Sequence, residues 1–110
     1  MWHLARNWLL YSLSVGLMVL MCSATTKANE HEEKLIRLVR QDCGSCHGLT
    51  LKGGLGRPLL PEALRYYDDE TLSKVILDGL AGTPMPPWRP LMSEKDALWI
   101  AARLREGFPQ

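Results

Sequence analysis

Two cysteines and a histidine form the most reactive cluster in the chain, in the run Cys43-Gly44-Ser45-Cys46-His47. A disulfide between cysteines three positions apart would close almost no loop and would stabilise little. A structural zinc site needs four ligands, and after the N-terminal segment the only other histidine is His31. A thioredoxin-like redox pair needs a βαβ setting, and the sequence predicts no strand. The motif therefore favours one covalently attached haem c, with thioethers at Cys43 and Cys46 and His47 as the proximal iron ligand.

Such a haem has a second axial position on iron, and Met85 is the candidate to fill it. Met85 lies in Gly82–Trp88, where three prolines exclude a helix and hold the backbone stiff. The 38 positions from His47 to Met85 give the chain enough length to pass around the ring. The alternative is a loop methionine that fills a gap in the core. Met92, just before a helix start, is typical of core packing, and His31 in an acidic run is typical of a solvated residue.

The N-terminal segment has the layout of an export signal. Leu9–Cys22 is an uncharged, mainly apolar run of 14 residues preceded by Arg6. As a helix it is shorter than the hydrocarbon core of a membrane is thick. Small residues permit cleavage after Ala24 or Ala28, and the acidic run that follows favours Ala28. A retained anchor and lipidation of Cys22 are the alternatives. We therefore predict a signal peptide over 1–28, a monohaem domain over 29–110, and a periplasmic protein without a membrane span.

Composition bounds the remaining chain to one small domain. The full sequence of 110 residues is 46% hydrophobic and 23% charged, which disfavours disordered, collagen-like and nucleic-acid-binding classes. Without residues 1–28 the net charge is −1. A core of this size is marginal by itself, and a cofactor is one of the usual ways to stabilise it.

Helical patterns surround the candidate site, and they predict an all-α fold of three to five short helices wrapped around one haem. Asn29 is expected to cap a first helix, and Asp69 a later one that ends at Gly79. Ser93 and Asp96 resemble a capping box at the start of the last helix, which Gly107 stops. The predicted helices are Glu30–Gln41, Pro61–Tyr67, Glu70–Asp78 and Glu94–Glu106, with a glycine-rich loop over Gly48–Gly56.

Apolar spacing also predicts which helix faces point inward. The expected inward residues are Leu35, Leu38 and Val39 on the first helix, Leu72, Val75 and Ile76 on the middle one, and Leu98, Trp99, Ala102 and Leu104 on the last. Four cations, Lys52, Arg57, Lys74 and Arg89, could form a charged rim around a docking surface or be ordinary solvated charges.

These motifs together resemble the class I cytochrome c family over nearly all of the chain after residue 28. The similarity rests on CGSCH at 43–47, Gly56-Arg57-Pro58-Leu59, the methionine-containing run TPMPPW at 83–88 and Trp99 in the last helix. In that family a proline carbonyl accepts a hydrogen bond from the proximal histidine, which implies this role for Pro58, although Arg57 here separates the glycine from the proline. Trp88 is either a haem-contacting residue whose N–H serves a propionate or a plain core aromatic.

The resemblance also implies a function. The runs 47–56 and 82–88 are similar to the small periplasmic monohaem cytochromes associated with denitrifying nitrite reductase. With His47 and Met85 both on iron, no position remains for a substrate, so we expect outer-sphere transfer of single electrons and no enzymatic activity. The expected partners of the monomer are the d-type haem nitrite reductase and an upstream donor. The alternatives are a maturation factor for that reductase or its special haem, and a carrier to a terminal oxidase.

Overall fold

Every regular element of the described chain is a helix. The structure, a computed structural model, describes residues 27–109, and within them there is no strand. The elements are α1 (27–38), a π-helix (Val39–Cys43), α2 (Gly44–His47), α3 (Pro61–Leu64), α4 (Asp69–Asp78) and α5 (Glu94–Glu106). The predicted all-α class is confirmed for these residues. The predicted export signal lies outside the described residues, except for Lys27 and Ala28.

Helix α1 begins earlier than the sequence indicates. Lys27 and Ala28 are already helical, so the prediction that Asn29 caps this helix is wrong. Lysine, alanine and glutamate all favour helix, which carries it past a residue that would otherwise cap it. Residues 27–34 are all exposed, and Lys34 pairs with Glu30 at 3.4 Å.

The helix changes its winding directly before the cysteine motif. The backbone N–H of Gly44 donates to the carbonyl of Val39, five residues earlier, which is the bond of a π-turn. The side chain of Val39 is completely buried and Gly44 is buried as well. The wide turn therefore packs this segment against the core while it leads into the motif.

Helix α4 is capped one residue earlier than predicted. The Asp68 carboxylate, not that of Asp69, accepts the backbone N–H of Thr71 at 2.7 Å. Asp69 lies in the first turn of α4, and its carboxylate is 2.7 Å from the guanidinium of Arg105 in α5. Two adjacent aspartates can both cap, and the position of Arg105 decides between them. Gly79 ends α4 as predicted.

Helix α5 has the predicted bounds and the predicted capping box between Ser93 and Asp96. Its inward face differs largely from the prediction. Among the residues expected to point inward, only Leu104 is buried, whereas Leu98 is exposed and Trp99 and Ala102 are half-buried. The residues buried on α5 are Ala97, Ile100, Ala101 and Leu104. The small alanines on this face let α5 pack closely on α4 and α3. The prediction ranked residues by hydrophobicity and did not take their size into account.

The core lies between α3, α4, α5 and the segment that precedes the cysteines. On that segment Leu35 and Val39 are buried as predicted and Leu38 is half-buried, whereas on α4 the buried residues are Ser73 and Leu77 rather than the expected three. Met92 is buried, which confirms its predicted packing role. The buried core residues are Leu35, Val39, Leu51, Leu64, Leu77, Met92, Ala97, Ile100, Leu104 and Phe108. Directly after Phe108, the carbonyl of Pro109 accepts a hydrogen bond from the guanidinium of Arg40 at 2.9 Å.

Candidate haem-attachment site

The two thiols of the motif lie on one helical turn in different surroundings. Cys43 ends the π-helix and packs, partly buried, against the core, whereas Cys46 in α2 is exposed. Both are free thiols. Burial, with a smaller contribution from the charge of Asp42, raises the pKa of the Cys43 thiol to about 11. Residues three apart on a helix face the same side, which is the arrangement that two thioethers to one ring require.

His47 ends α2 with its ring held by a backbone carbonyl. Its Nδ1 atom lies 2.6 Å from the carbonyl oxygen of Arg57. A carbonyl oxygen only accepts hydrogen bonds, so Nδ1 carries the proton and Nε2 keeps the lone pair that a metal ion needs. This hydrogen bond sets the tautomer of the ring and makes it a stronger electron donor.

The acceptor of this hydrogen bond is not the predicted one. Pro58 was expected to supply the carbonyl, and the structure uses Arg57, the residue before it. Proline restricts the preceding residue to extended conformations, so Pro58 still helps to aim the Arg57 carbonyl. Whether Pro58 also contacts the haem stays a prediction.

The glycine-rich loop folds back onto the motif. The N–H of Gly53 donates to the carbonyl of His47, and the N–H of Gly56 donates to that of Cys46, both at 2.8 Å. Gly48 ends α2 at φ +89°, where a side chain would be strained and would meet the carbonyl of Gly53. These contacts hold the glycine-rich loop against the backbone of α2.

Gly56 has a role that sequence reasoning missed. A Cβ atom at this position would lie 2.8 Å from both Nδ1 and Cε1 of His47, closer than real Cβ atoms approach other atoms. Only glycine allows the backbone to lie on the ring while Arg57 presents its carbonyl. The sequence feature that could have indicated this contact is the position of Gly56 directly before Arg57 and Pro58. It entered the prediction only as part of the family resemblance.

Met85 lies at the outer part of a loop that leaves and rejoins α4. We call residues 80–89 the methionine loop. The carbonyl of Met85 accepts the N–H of Leu80 at 3.3 Å, and its own N–H donates to Thr83 Oγ1 at 3.3 Å. Gly79, at φ +70°, lies so close that a Cβ atom there would be 2.6 Å from the Met85 carbonyl oxygen. Met85 is half-buried.

Trp88 and the candidate rim charges have different environments. The side chain of Trp88 is partly buried against the core, and its backbone N–H donates to the carbonyls of Ile76 and Leu77 at 3.1 Å each. Core packing is thus observed for Trp88, and its contact with a propionate stays a prediction. Arg89 is engaged by carboxylates, so it is not a free rim charge.

Haem fits the donor set that these residues provide. Two unpaired thiols, an imidazole with Nε2 available and a thioether match the ligand chemistry of a c-type haem. Among residues 27–109 no cluster of three His, Cys, Asp or Glu side chains could hold a metal ion without such a group. Leu49 and Leu55, on the loop after His47, leave 77% and 96% of their surface exposed, which offers apolar area to a porphyrin or a partner.

Comparison with known proteins agrees with this donor set. Residues 32–102 match the family described as "Cytochrome C oxidase, cbb3-type, subunit III". The chain is 50% identical over 91 residues to cytochrome c55X of Pseudomonas aeruginosa, covering 78% of this chain and 76% of that protein. It is 63% identical over 70 residues to cytochrome c55X of Paracoccus denitrificans, covering 64% of this chain and 68% of that one. The chain belongs to the class I cytochrome c family.

Solved structures extend the comparison. A structure named "c-type cytochrome NirC" matches with a TM-score of 0.70 and 52% identity, over 72% of this chain and 93% of that one. A second, "Dihydro-heme d1 dehydrogenase NirN in complex with DHE", matches with a TM-score of 0.61 and 34% identity, over 67% of this chain and 16% of that one. The chain is thus NirC-like, and it also resembles a small part of a much larger enzyme.

Family membership settles the cofactor and the general activity. A class I cytochrome c carries a covalently bound haem c, and Cys43 and Cys46 fit its attachment motif. The relatives that this chain matches over most of their length are named as cytochromes, so the chain is an electron carrier and not an enzyme. In the described part of the chain, no helix has the length and apolarity needed to span a membrane.

Proposed function

We propose that this cytochrome is a periplasmic carrier of single electrons to the d-type haem nitrite reductase of denitrification. Residues 1–28 act as an export signal, and residues 29–110 form the monohaem domain. The similarity to NirC over most of both chains supports this assignment. The exposure of all residues from 27 to 34 is compatible with cleavage after Ala28, because that cleavage removes no buried side chain of the described chain.

Cys43 and Cys46 would hold the haem through thioethers, and His47 and Met85 would supply the nitrogen and sulfur ligands of its iron. The observation that carries this assignment is the hydrogen bond from His47 Nδ1 to the Arg57 carbonyl, since it leaves Nε2 as the only ring atom able to coordinate. Met85 is supported by its place in a stiff, proline-rich loop that is anchored on α4. A ligand pair of histidine and methionine favours a higher reduction potential than two histidines.

The chain contributes to electron transfer by holding its ligands still. Bound haem iron supplies a one-electron couple between the ferric and ferrous states. The Arg57 carbonyl and Gly56 fix the orientation of the imidazole, and hydrogen bonds with Leu80 and Thr83 fix the backbone from which the Met85 side chain extends. Ligands that keep their positions in both redox states lower the reorganisation that accompanies each transfer. If His47 and Met85 both bind the iron, no position on it would remain for a substrate.

The ligand assignment can be tested with a matched pair of methionine variants. Met85→Leu and Met92→Leu both replace a thioether by an apolar side chain of similar volume. We expect Met85→Leu to abolish the charge-transfer absorption of methionine sulfur on ferric iron and to let imidazole bind. Met92→Leu, in the core, should keep the charge-transfer absorption and the imidazole binding of the native protein unchanged. Retention of the absorption band in Met85→Leu would refute the assignment.

The proposed acceptor can be tested by anaerobic rapid mixing. The reduced cytochrome is mixed with oxidised d-type haem nitrite reductase, and its oxidation rate is compared with nitrite turnover. We expect oxidation to keep pace with turnover. If this cytochrome stays reduced while another small cytochrome is oxidised under the same conditions, the reductase is not its acceptor. Rapid oxidation by a terminal oxidase instead would favour that carrier role.

A second candidate function is electron exchange during maturation of the special haem of the reductase. It is supported by the similarity to part of a protein named as a dihydro-haem d1 dehydrogenase, since a dehydrogenation releases electrons that a cytochrome can accept. Mixing the oxidised cytochrome with that dehydrogenase and its substrate would distinguish the two functions. Reduction of the cytochrome in step with product formation is expected for the maturation role, and its absence would exclude that role.

A further inference from the structure

The methionine loop is closed at its base on the C-terminal end of α4. The N–H of Arg89 donates to the carbonyl of Leu77 at 3.1 Å, and the N–H of Leu80 donates to that of Met85 at 3.3 Å. Trp88 adds bonds to the same end of α4. These contacts fix where the loop starts and ends.

The second half of the loop has few ways to hold itself in place. Pro86 and Pro87, which follow Met85, have no backbone N–H to donate. In the first half, Thr83 donates to the carbonyl of Leu80 through its N–H at 3.1 Å and through its hydroxyl at 2.8 Å. The segment after Met85 therefore depends on what anchors it at Trp88 and Arg89.

The side chain of Arg89 ties this anchor to two helices. Its Nε and Nη2 atoms each lie 2.8 Å from Oδ1 of Asp78, the last residue of α4, and Nη1 lies 3.1 Å from Oε1 of Glu94, the first residue of α5. A single guanidinium thus bridges the end of one helix, the start of another and the end of the methionine loop.

The position of Asp78, at the C-terminal end of α4, is electrostatically unfavourable for a carboxylate. A carboxylate at a helix C-terminus is repelled by the partial negative charge of the free carbonyls. Glu94, by contrast, lies at a helix N-terminus, where its charge is favourable. The guanidinium of Arg89 offsets this repulsion and joins the end of the methionine loop to the end of α4.

We propose that Arg89 is a positioning residue for Met85, because its bridge to Asp78 and Glu94 keeps the methionine loop closed and holds the thioether at the iron. The inference rests on the proposed ligation by His47 and Met85. All three side chains are at least half exposed, so each ion pair contributes modestly. Loss of the bridge should therefore change how often the methionine loop opens, and not whether the protein folds.

The test measures imidazole binding to the ferric, haem-loaded protein, because imidazole binds when Met85 leaves the iron. Arg89→Gln should raise the affinity for imidazole about two- to fivefold, the range expected for losing exposed ion pairs. Arg105→Gln is the matched control, since Arg105 also joins α5 to α4 by an exposed ion pair, but at the other end of α4. Arg105→Gln should leave the affinity unchanged even if it lowers the denaturant midpoint as much as Arg89→Gln.

A double-mutant comparison tests the route through Asp78. Asp78→Asn alone should raise the affinity for imidazole, and it should raise it much less when Arg89 is already glutamine, because the bridge is then absent. Equal effects of Asp78→Asn in both backgrounds would overturn the bridge. So would equal imidazole affinities of Arg89→Gln and Arg105→Gln.

Failure of the ligand assignment gives a different pattern. If Met85→Leu leaves imidazole binding unchanged, Met85 is not the ligand, and the ligation and the role of Arg89 both fall. If Met85→Leu raises imidazole affinity strongly while Arg89→Gln behaves like Arg105→Gln, the ligation stands and only the role of Arg89 falls.

Discussion

Alanine at position 56 would force the glycine-rich loop away from the proximal histidine. Its Cβ atom would lie 2.8 Å from Nδ1 and Cε1 of His47, whereas ordinary contacts begin at 3.4 Å, so the two groups must separate by about 0.6 Å. A displacement of that size lengthens the 2.6 Å contact between His47 Nδ1 and the Arg57 carbonyl to at most about 3.2 Å, the long limit of such hydrogen bonds.

The cost of Gly56→Ala follows from two contributions. Overpacking a tight contact costs about 1–3 kcal/mol, and weakening a hydrogen bond costs about 1 kcal/mol more. We therefore expect the free energy of unfolding to fall by about 2–4 kcal/mol. The reduction potential should rise, because an imidazole with a weaker Nδ1 hydrogen bond donates less electron density to ferric iron.

The assay is denaturant unfolding of the ferric holoprotein, together with a redox titration. Gly44→Ala is the matched control, because its Cβ would meet Leu49 at an ordinary 3.4 Å in a helical segment. Alanine there should be neutral or stabilising by up to about 1 kcal/mol. If Gly56→Ala and Gly44→Ala have the same midpoint and potential, the contact with His47 does not explain the glycine, and the reasoning fails.

Three further predictions concern the helix caps and the thiols. Ser93→Ala should lower the free energy of unfolding by about 1 kcal/mol in denaturant titrations without changing the haem spectrum, and an unchanged midpoint would contradict the cap. Hydrogen bonds from Thr71 lower the pKa of the Asp68 carboxyl, so Asp68 stabilises the protein above its ordinary pKa of 3.8 and loses this effect as pH falls through the lower folded value. Asp68→Asn should therefore reduce the slope of stability against pH below about 3.8. In the haem-free chain, burial raises the pKa of Cys43 to about 11, so iodoacetamide at pH 9 should label Cys46 first by peptide mass spectrometry. Equal labelling of both thiols would show that Cys43 is not protected.

The sequence was most informative where chemistry or a local signal leaves few choices. The cysteine-histidine motif identifies the cofactor because few other groups use that spacing. The capping box at Ser93 and the glycine at 107 gave the bounds of α5 correctly, because both act within one turn of the chain. The prolines around Met85 likewise excluded a helix from sequence alone.

Tertiary structure decided the questions in which distant residues compete. Asp68 and Asp69 are equivalent as caps until Arg105 engages one of them. Two adjacent stripes of α5 are apolar, and only packing on α3 and α4 selects the one with the small alanines. The acceptor for His47 is the carbonyl of Arg57 rather than that of Pro58, because the path of the loop fixes which oxygen reaches the ring.

The role of each glycine and the bridge at Arg89 also required the fold. The sequence by itself determined the cofactor, its cysteine attachment motif and the helical class, since these depend on residue type and short spacing. Only the tertiary structure shows that Gly56 lies on an imidazole nine residues earlier, and that Arg89 meets a carboxylate eleven residues before it. Such contacts depend on how the chain returns to itself, which residue types and local spacing do not encode.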